Sequence, residues 1–112
     1  MRSEESAVIE PIDAAWMTLR ARLEARGREL HEEVHSYPTP IARCDEQLTK
    51  AIEDRDAAFR RLRSADDLDQ MRNAVARDAW LARLCEFVTA LDVAEDEAAS
   101  AVRRRLLTLL GH

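Results

Sequence analysis

Apolar residues recur at helical spacing along the first third of the chain. Steps of three, four and seven residues put these side chains on one side of a helix. Pro11 suits the first turn of such a helix, whereas residues 36–40 (SYPTP) are typical of a break. The pattern therefore predicts a first helix that runs from Pro11 to this break. Its apolar stripe consists of Ile12, Trp16, Leu19, Leu23, Leu30 and Val34.

A second apolar stripe follows the break. Thr39 can cap a helix there, and Pro40 fits its first position, where a missing N–H is no loss. So short a break brings consecutive helices side by side, which predicts an antiparallel helical hairpin. If the hairpin turns at Pro38, facing residues have numbers that sum to about 76. The second stripe consists of Ile41, Cys44, Leu48, Ile52, Phe59 and Leu62.

The C-terminal half has no Gly or Pro from Ser64 to Leu110, yet its apolar pattern changes sides. Ser64 followed by two aspartates fits a helix cap, so a third helix is predicted to start there. A break or bend near Asp78 is favoured over one straight helix, and Asp92 with Glu95 fits a capping box at a further break. One face holds Leu68, Met71, Val75 and Ala79, and the nearly opposite face holds Trp80, Leu84, Phe87, Val88 and Leu91.

No alternating run of apolar and polar residues indicates a strand. We therefore expect an all-α fold, a helical bundle built on the N-terminal antiparallel hairpin plus a long or broken C-terminal helical segment. The length of 112 residues fits a single helical domain over residues 1–112. Whether residues 1–9 are ordered is left open.

Composition and charge narrow the class of protein. The chain is 46% apolar and 35% charged, which is apolar enough to fold. Its net charge is −5 and its basic and acidic residues alternate, so no nucleic-acid partner is expected. Among the Lys and Arg positions all but Lys50 are arginine, which is typical of a GC-rich bacterial genome.

The sequence predicts a cytoplasmic protein without stable membrane association. No charged-then-apolar leader stands at the start, and no apolar run reaches the length of a membrane span. Cys44 and Cys85 are therefore expected to be reduced thiols rather than a disulfide.

Residues 31–35 (HEEVH) match H-E-x-x-H and so resemble the zinc site of metalloproteases. In that family two histidines one turn apart hold zinc while the glutamate activates a water. Here Pro38 stands where the extended motif has glycine, and the predicted apolar stripe turns Glu32 outward. We therefore expect His31 and His35 to face solvent, and a zinc-dependent hydrolase is the alternative.

A pattern of carboxylates, E-x-x-E followed by E-x-x-D, resembles the magnesium site of all-α NTP pyrophosphohydrolases. The resemblance implies acids on two neighbouring helices that clamp the ion holding the phosphates. The predicted hairpin register puts the second pair about two turns from the first, so solvated acids are the preferred interpretation. We assign no cofactor, no metal ligand and no catalytic residue. The acids are Glu29, Glu32, Glu33, Glu53 and Asp56.

Arg55 falls at the centre of the second apolar stripe, between Ile52 and Phe59. A guanidinium there has to pair with an acid or reach a solvated edge, so Arg55 is predicted as a buried polar residue. A buried pair that sets helix register is one sharper alternative. An anionic ligand bound within the bundle, as in a small ligand-sensing protein, is another.

Four leucines near the C-terminus cover almost half of the helix circumference, more than one neighbouring helix can bury. Together with the face that runs from Leu68 to Val75, they predict more apolar surface than a small monomer covers. We expect a non-enzymatic interaction, adaptor or regulatory protein that forms a homodimer, with any other protein partner unknown. The predicted interface residues are Leu68, Met71, Val75, Leu106, Leu107 and Leu110.

Overall fold

The computed structural model describes residues 10–36 and 45–111. Four helices account for most of these residues, and none of them lies in a strand. The predicted all-α bundle is therefore confirmed. The helices are α1 (Pro11–His35), α2 (Asp45–Met71), α3 (Arg77–Ala90) and α4 (Glu97–Leu109).

α1 begins and ends where the apolar pattern predicts. Pro11 occupies the first turn together with Asp13, an acid that suits the positive end of the helix dipole. At the other end the Ser36 amide donates to the Glu32 carbonyl at 2.9 Å. The predicted stripe is the buried face, since Trp16 and Leu19 are fully buried.

α2 is longer than predicted, because Ser64 does not start a new helix. Ser64 is an exposed residue within α2, which continues to Met71. Serine competes with the helical backbone only weakly, and its neighbours are mainly Arg, Leu and Ala, which are good helix formers. The predicted helix start at Ser64 is therefore wrong.

The chain does break just before Asp78, as the change of apolar face predicts. The amides of Ala74 and Val75 both turn back to the Met71 carbonyl, at 3.0 and 3.1 Å. α3 then begins at Arg77. Leu68 and Met71 of the first face lie in α2 and pack on the core, whereas Val75 in the break and Ala79 at the start of α3 are exposed. The second face is the buried side of α3, with Trp80, Leu84 and Val88.

A second break separates α3 from α4, but its cap is not the predicted one. The Asp96 carboxylate accepts a hydrogen bond from the Ala99 amide at 3.2 Å and so caps α4. Asp92 instead accepts from the Ala94 amide at 3.4 Å, within the connection. The predicted capping box at Asp92 is wrong by about one helical turn.

The main core lies where all four helices pack together, a region that we call the head. The head comprises α1 up to Leu23, α2 from Leu62 onward, α3 and α4. Its fully buried side chains are Trp16, Leu19, Trp80, Leu84, Val88 and Leu106.

The rest of α1 and α2 extends beyond the head as two helices, which we call the arm (residues 24–35 and 45–58). A separate set of buried residues, Leu30, Ala51 and Ala58, lies between these helices. Gly27 lies beside Phe59, and a Cβ added at Gly27 would lie 3.4 Å from the Phe59 ring. The arm has a narrow core because only two helices contribute to it.

α1 and α2 pack antiparallel to each other, but not in the predicted register. Facing residues have numbers that sum to 85 for Trp16 with Asp69 and to 86 for Gly27 with Phe59, rather than to about 76. The predicted register is wrong because it assumed a turn centred on Pro38, whereas side-chain packing in the head fixes the pairing. The turn of the predicted hairpin, with Thr39, Pro40 and Cys44, lies outside the described residues, so the hairpin stays a prediction. The order of residues 1–9 falls outside them as well.

Candidate functional site

An open groove runs along the head and the adjoining end of the arm. Residues 57–71 of α2 form one side, and residues 83–91, at the end of α3, form the other. Two adjoining cavities, of about 290 and 360 Å³, make up this groove, which we call the α2–α3 groove. Ser64 and Phe87 line both cavities, so they mark its middle. Ser64 also lines a third hollow on the outer side of α2, next to Arg60 and Asp67.

The floor of the groove is apolar. Phe87 is half-buried, and its ring packs edge-on against the Trp16 ring with centroids 5.8 Å apart. Leu68 and Met71 pack against the same core from α2. An apolar floor of this kind suits the apolar face of another helix.

The rim of the groove carries charges that the head does not neutralise. Arg60 and Asp67 line the groove and are exposed, and Arg61 lines it and is half-buried. None of the ion pairs found among residues 10–36 and 45–111 uses these three side chains. On the α3 side Arg83 is paired with Glu86 at 3.8 Å. Unpaired charges of both signs therefore lie on the α2 side of the groove.

The α2 wall of the groove is tied to α3 by Trp80. Its indole Nε1 donates to the Leu68 carbonyl at 2.9 Å, within a fully buried side chain. In a continuing helix the Leu68 carbonyl would accept from the Arg72 amide, but the helix ends here and the Arg72 amide donates to the Asp69 carbonyl, at 3.3 Å. The guanidinium carbons of Arg77 and Arg72 lie 5.1 and 5.8 Å from the centroid of the Trp80 ring, which adds cation–π contacts.

α1 holds the same end of α2 through Asp69. The Trp16 Nε1 donates to one carboxylate oxygen of Asp69 at 2.8 Å, and Arg20 binds the other. Arg20 also pairs with Asp66. These contacts fix the register of α1 against α2 and leave the opposite side of α2 facing the groove.

Asp13 joins the start of α1 to the start of α3. Its carboxylate accepts two hydrogen bonds from Arg77, at 3.1 and 2.6 Å, and only 12% of its side chain is exposed. The hydrogen bonds from Arg77 lower the pKa of Asp13 and outweigh its burial, which acts in the opposite direction. Such a bidentate pair at the edge of the core positions helices and offers no free group for catalysis.

Asp96 joins α1 to α4 in a similar way. Arg22 Nε donates to its carboxylate at 2.7 Å, while the other oxygen caps α4. Burial raises the pKa of Asp96, but the hydrogen bonds from Arg22 and the Ala99 amide outweigh it, so the pKa lies below its ordinary value. Both perturbed carboxylates therefore serve the packing of the head.

The predicted interface residues fall into two groups. Leu68 and Leu106 are 6% and 0% exposed and belong to the core of this chain. Met71, Leu107 and Leu110 are half-buried against that core, and Val75 is 40% exposed. The interface stays a prediction, and of these residues Met71 lines the α2–α3 groove together with Leu68.

Arg55 lies in the arm and is half-buried, with 25% of its side chain exposed. Its Nε and Nη2 atoms lie 3.3 and 3.2 Å from one carboxylate oxygen of Asp56. This local pair is one of the outcomes expected for a guanidinium on the apolar stripe.

His31 and His35 are both exposed on α1, and their rings stack with centroids 5.2 Å apart. The Phe59 ring lies 6.0 Å from the His31 ring. Glu32 is exposed, as the stripe predicts. Among residues 10–36 and 45–111, no three His, Cys, Asp or Glu side chains lie together in a way that could hold a metal ion.

The observed register changes the argument about the carboxylates of the arm. Facing residues of α1 and α2 have numbers that sum to about 86, which brings Glu33 level with Glu53. The two acidic pairs are therefore not two turns apart as predicted. Glu29 lies 3.5 and 3.4 Å from the guanidinium groups of Arg22 and Arg26. The acids therefore share one level of the arm without converging on a common point in the described residues.

Sequence reasoning missed the α2–α3 groove because it interpreted Ser64 as a cap. The run from Arg60 to Asp67 (RRLRSADD) changes from basic to acidic across Ser64, and this signal could have marked the segment. The pairs of Asp13 with Arg77 and of Arg22 with Asp96 gave no local signal, since their members lie far apart in sequence.

No helix in the described part of the chain has the length and apolarity needed to span a bilayer. Comparison with protein-family models, curated proteins and solved structures found no match to this chain.

Proposed function

We propose that this chain is a non-enzymatic interaction protein that works as a homodimer, and that the α2–α3 groove is the surface through which two copies bind. The observation that carries the proposal is the groove itself. It combines an apolar floor, formed by Leu68, Met71 and Phe87, with unpaired charges along one rim.

The size of the groove fits a helix. Its α2 side runs from Ala57 to Met71, about four turns or roughly 20 Å at 1.5 Å per residue. Helix-in-groove binding uses apolar anchors spaced at three, four and seven residues, within a polar rim. A helix of another subunit is therefore a better occupant than a small molecule, which would be held by an enclosed cavity.

Charge complementarity favours a second copy as the occupant. The rim of each copy offers the positive charges of Arg60 and Arg61 and the negative charge of Asp67. A partner that matches this rim has to carry both signs at a similar spacing, and the same rim turned around provides them.

A dimer joined through the heads would leave both arms free. The arms present the exposed acids and His31 and His35 to solvent, so they could bind a further protein. We therefore propose an adaptor or regulatory role, in the cytoplasm of a bacterial cell as expected from the sequence.

Sedimentation equilibrium of the purified protein tests the proposal over a wide concentration range. The wild type is expected to show a monomer–dimer equilibrium. Ser64→Arg, which fills the middle of the groove from an exposed position, should raise the dimer dissociation constant at least about tenfold. Ala101→Arg places the same side chain at an exposed position of α4 and should leave the constant unchanged. A wild type that stays monomeric at every concentration would refute the homodimer.

A further inference from the structure

We infer that two copies bind through antiparallel α2 helices, with Ser64 at the two-fold axis and Arg60 of each copy opposite Asp67 of the other. This inference rests on the proposed homodimer and adds its orientation, its register and the residues that specify both.

The residues concerned share one face of α2. Ala57, Arg60, Ser64, Asp67 and Met71 follow one another at steps of three and four, so they fall within about 100° of the helix circumference. All five line the groove or the hollow beside it. The opposite side of α2 is occupied by α1, through Asp69.

Two-fold symmetry turns this face into its own complement. In an antiparallel pair of identical helices, facing residues have numbers with a constant sum. A sum of 127 or 128 places Ser64 against its own copy, Arg60 against Asp67 and Ala57 against Met71. Met71, the largest apolar side chain of the face, thus meets Ala57, the smallest, and Arg60 of each copy meets Asp67 of the other.

The antiparallel orientation follows from the same charges. A parallel pair in register would place Arg60 against Arg60 and Asp67 against Asp67, which is repulsive at both positions. Ser64 is small enough for two helices to approach to the usual 8–10 Å between axes. Of the neighbouring charges, Asp66 is paired with Arg20 and Arg83 with Glu86. Arg63 lies one turn before Asp67, but it lines only the hollow on the outer side of α2.

A charge exchange tests the contact. Arg60→Asp and Asp67→Arg are each expected to raise the dimer dissociation constant by about tenfold, because each loses two symmetry-related ion pairs and places like charges opposite each other. The double variant Arg60→Asp/Asp67→Arg exchanges the two signs and should return the constant to within about threefold of the wild type. Both positions are exposed, and unchanged circular dichroism will show that each variant is folded.

A disulfide test reports the axis without depending on charge. Two helices packed 8–10 Å apart bring facing Cα atoms close enough for a disulfide. Ser64→Cys should therefore form a covalent dimer on mild oxidation, well above the level of the wild type with its native cysteines. Ala101→Cys is the matched control on α4 and should stay at the wild-type level.

The outcomes separate this inference from the proposed function. A wild-type dimer in which the charge exchange is not restored, or in which Ser64→Cys crosslinks no better than Ala101→Cys, overturns the antiparallel arrangement and leaves the homodimer standing. A wild type that is monomeric throughout overturns both. Restoration by the double variant together with selective crosslinking at position 64 supports both.

Discussion

Replacing Trp80 by Phe should destabilise the head strongly, although phenylalanine is also aromatic. Trp80 is fully buried, and its indole N–H donates to the Leu68 carbonyl at 2.9 Å. Phenylalanine keeps the edge-on packing against Trp16 but removes this donor. A buried carbonyl that loses its partner costs roughly 1–3 kcal/mol. The smaller ring also leaves a void of roughly 40 Å³, which at about 24 cal/mol per Å³ adds about 1 kcal/mol.

The expected loss in the free energy of unfolding is therefore about 2–4 kcal/mol. For a domain of this size it should lower the Tm by about 8–16 °C. Urea and thermal unfolding followed by circular dichroism will measure it, with Trp16 fluorescence as a second probe. Val75→Ala, at a 40% exposed position nearby, should change the free energy of unfolding by less than about 0.5 kcal/mol. A loss below about 1 kcal/mol for Trp80→Phe would refute the assigned hydrogen bond.

Three further predictions concern stability. The pKa values of Asp13 and Asp96 are lowered in the folded state, in Asp13 by the hydrogen bonds from Arg77. The unfolded chain therefore binds more protons than the folded chain in acid, and stability is lost as the pH falls. The urea midpoint should fall as the pH drops below about 5 and be unchanged between pH 6 and 7. Gly27→Ala should stabilise the arm by about 0.5–1 kcal/mol, because the new Cβ would lie at an ordinary contact distance of 3.4 Å from the Phe59 ring. A lower Tm for this variant would show that the arm packs more tightly than this distance implies. Leu106→Ala should cost about 2–5 kcal/mol in urea unfolding, unlike the exposed Ala101→Ser.

The helix content could be predicted from the sequence because it depends on local spacing. The stripe of α1 repeats over more than six turns and has a proline at its start, so its bounds follow from neighbouring residues alone. The change of apolar face near Asp78 predicted the break before α3 in the same way. Ser64 shows the limit of local rules. A serine followed by aspartates fits a cap, but the cap forms only where the chain leaves the helix, and here it continues to Met71.

The candidate site could not be predicted, because it is formed by elements that are distant in sequence. Phe87 and Ser64 were each assigned to a face or a cap, and only the packing of α3 beside α2 brings them to one groove. The register of α1 against α2 was missed for the same reason, since contacts such as Trp16 with Asp69 decide it.

The sequence alone determined that this chain is helical, that it breaks between two apolar faces, and that Arg60 and Asp67 lie on either side of Ser64. These properties depend on residues within one or two turns of each other, where side-chain spacing and backbone preference act directly. The tertiary structure decided which faces remain open. It placed α1 on one side of α2 through Asp69 and buried Leu106 in the core, and it left the Ser64 side of α2 beside a groove. That outcome depends on how four helices together cover apolar surface, which no single helix specifies.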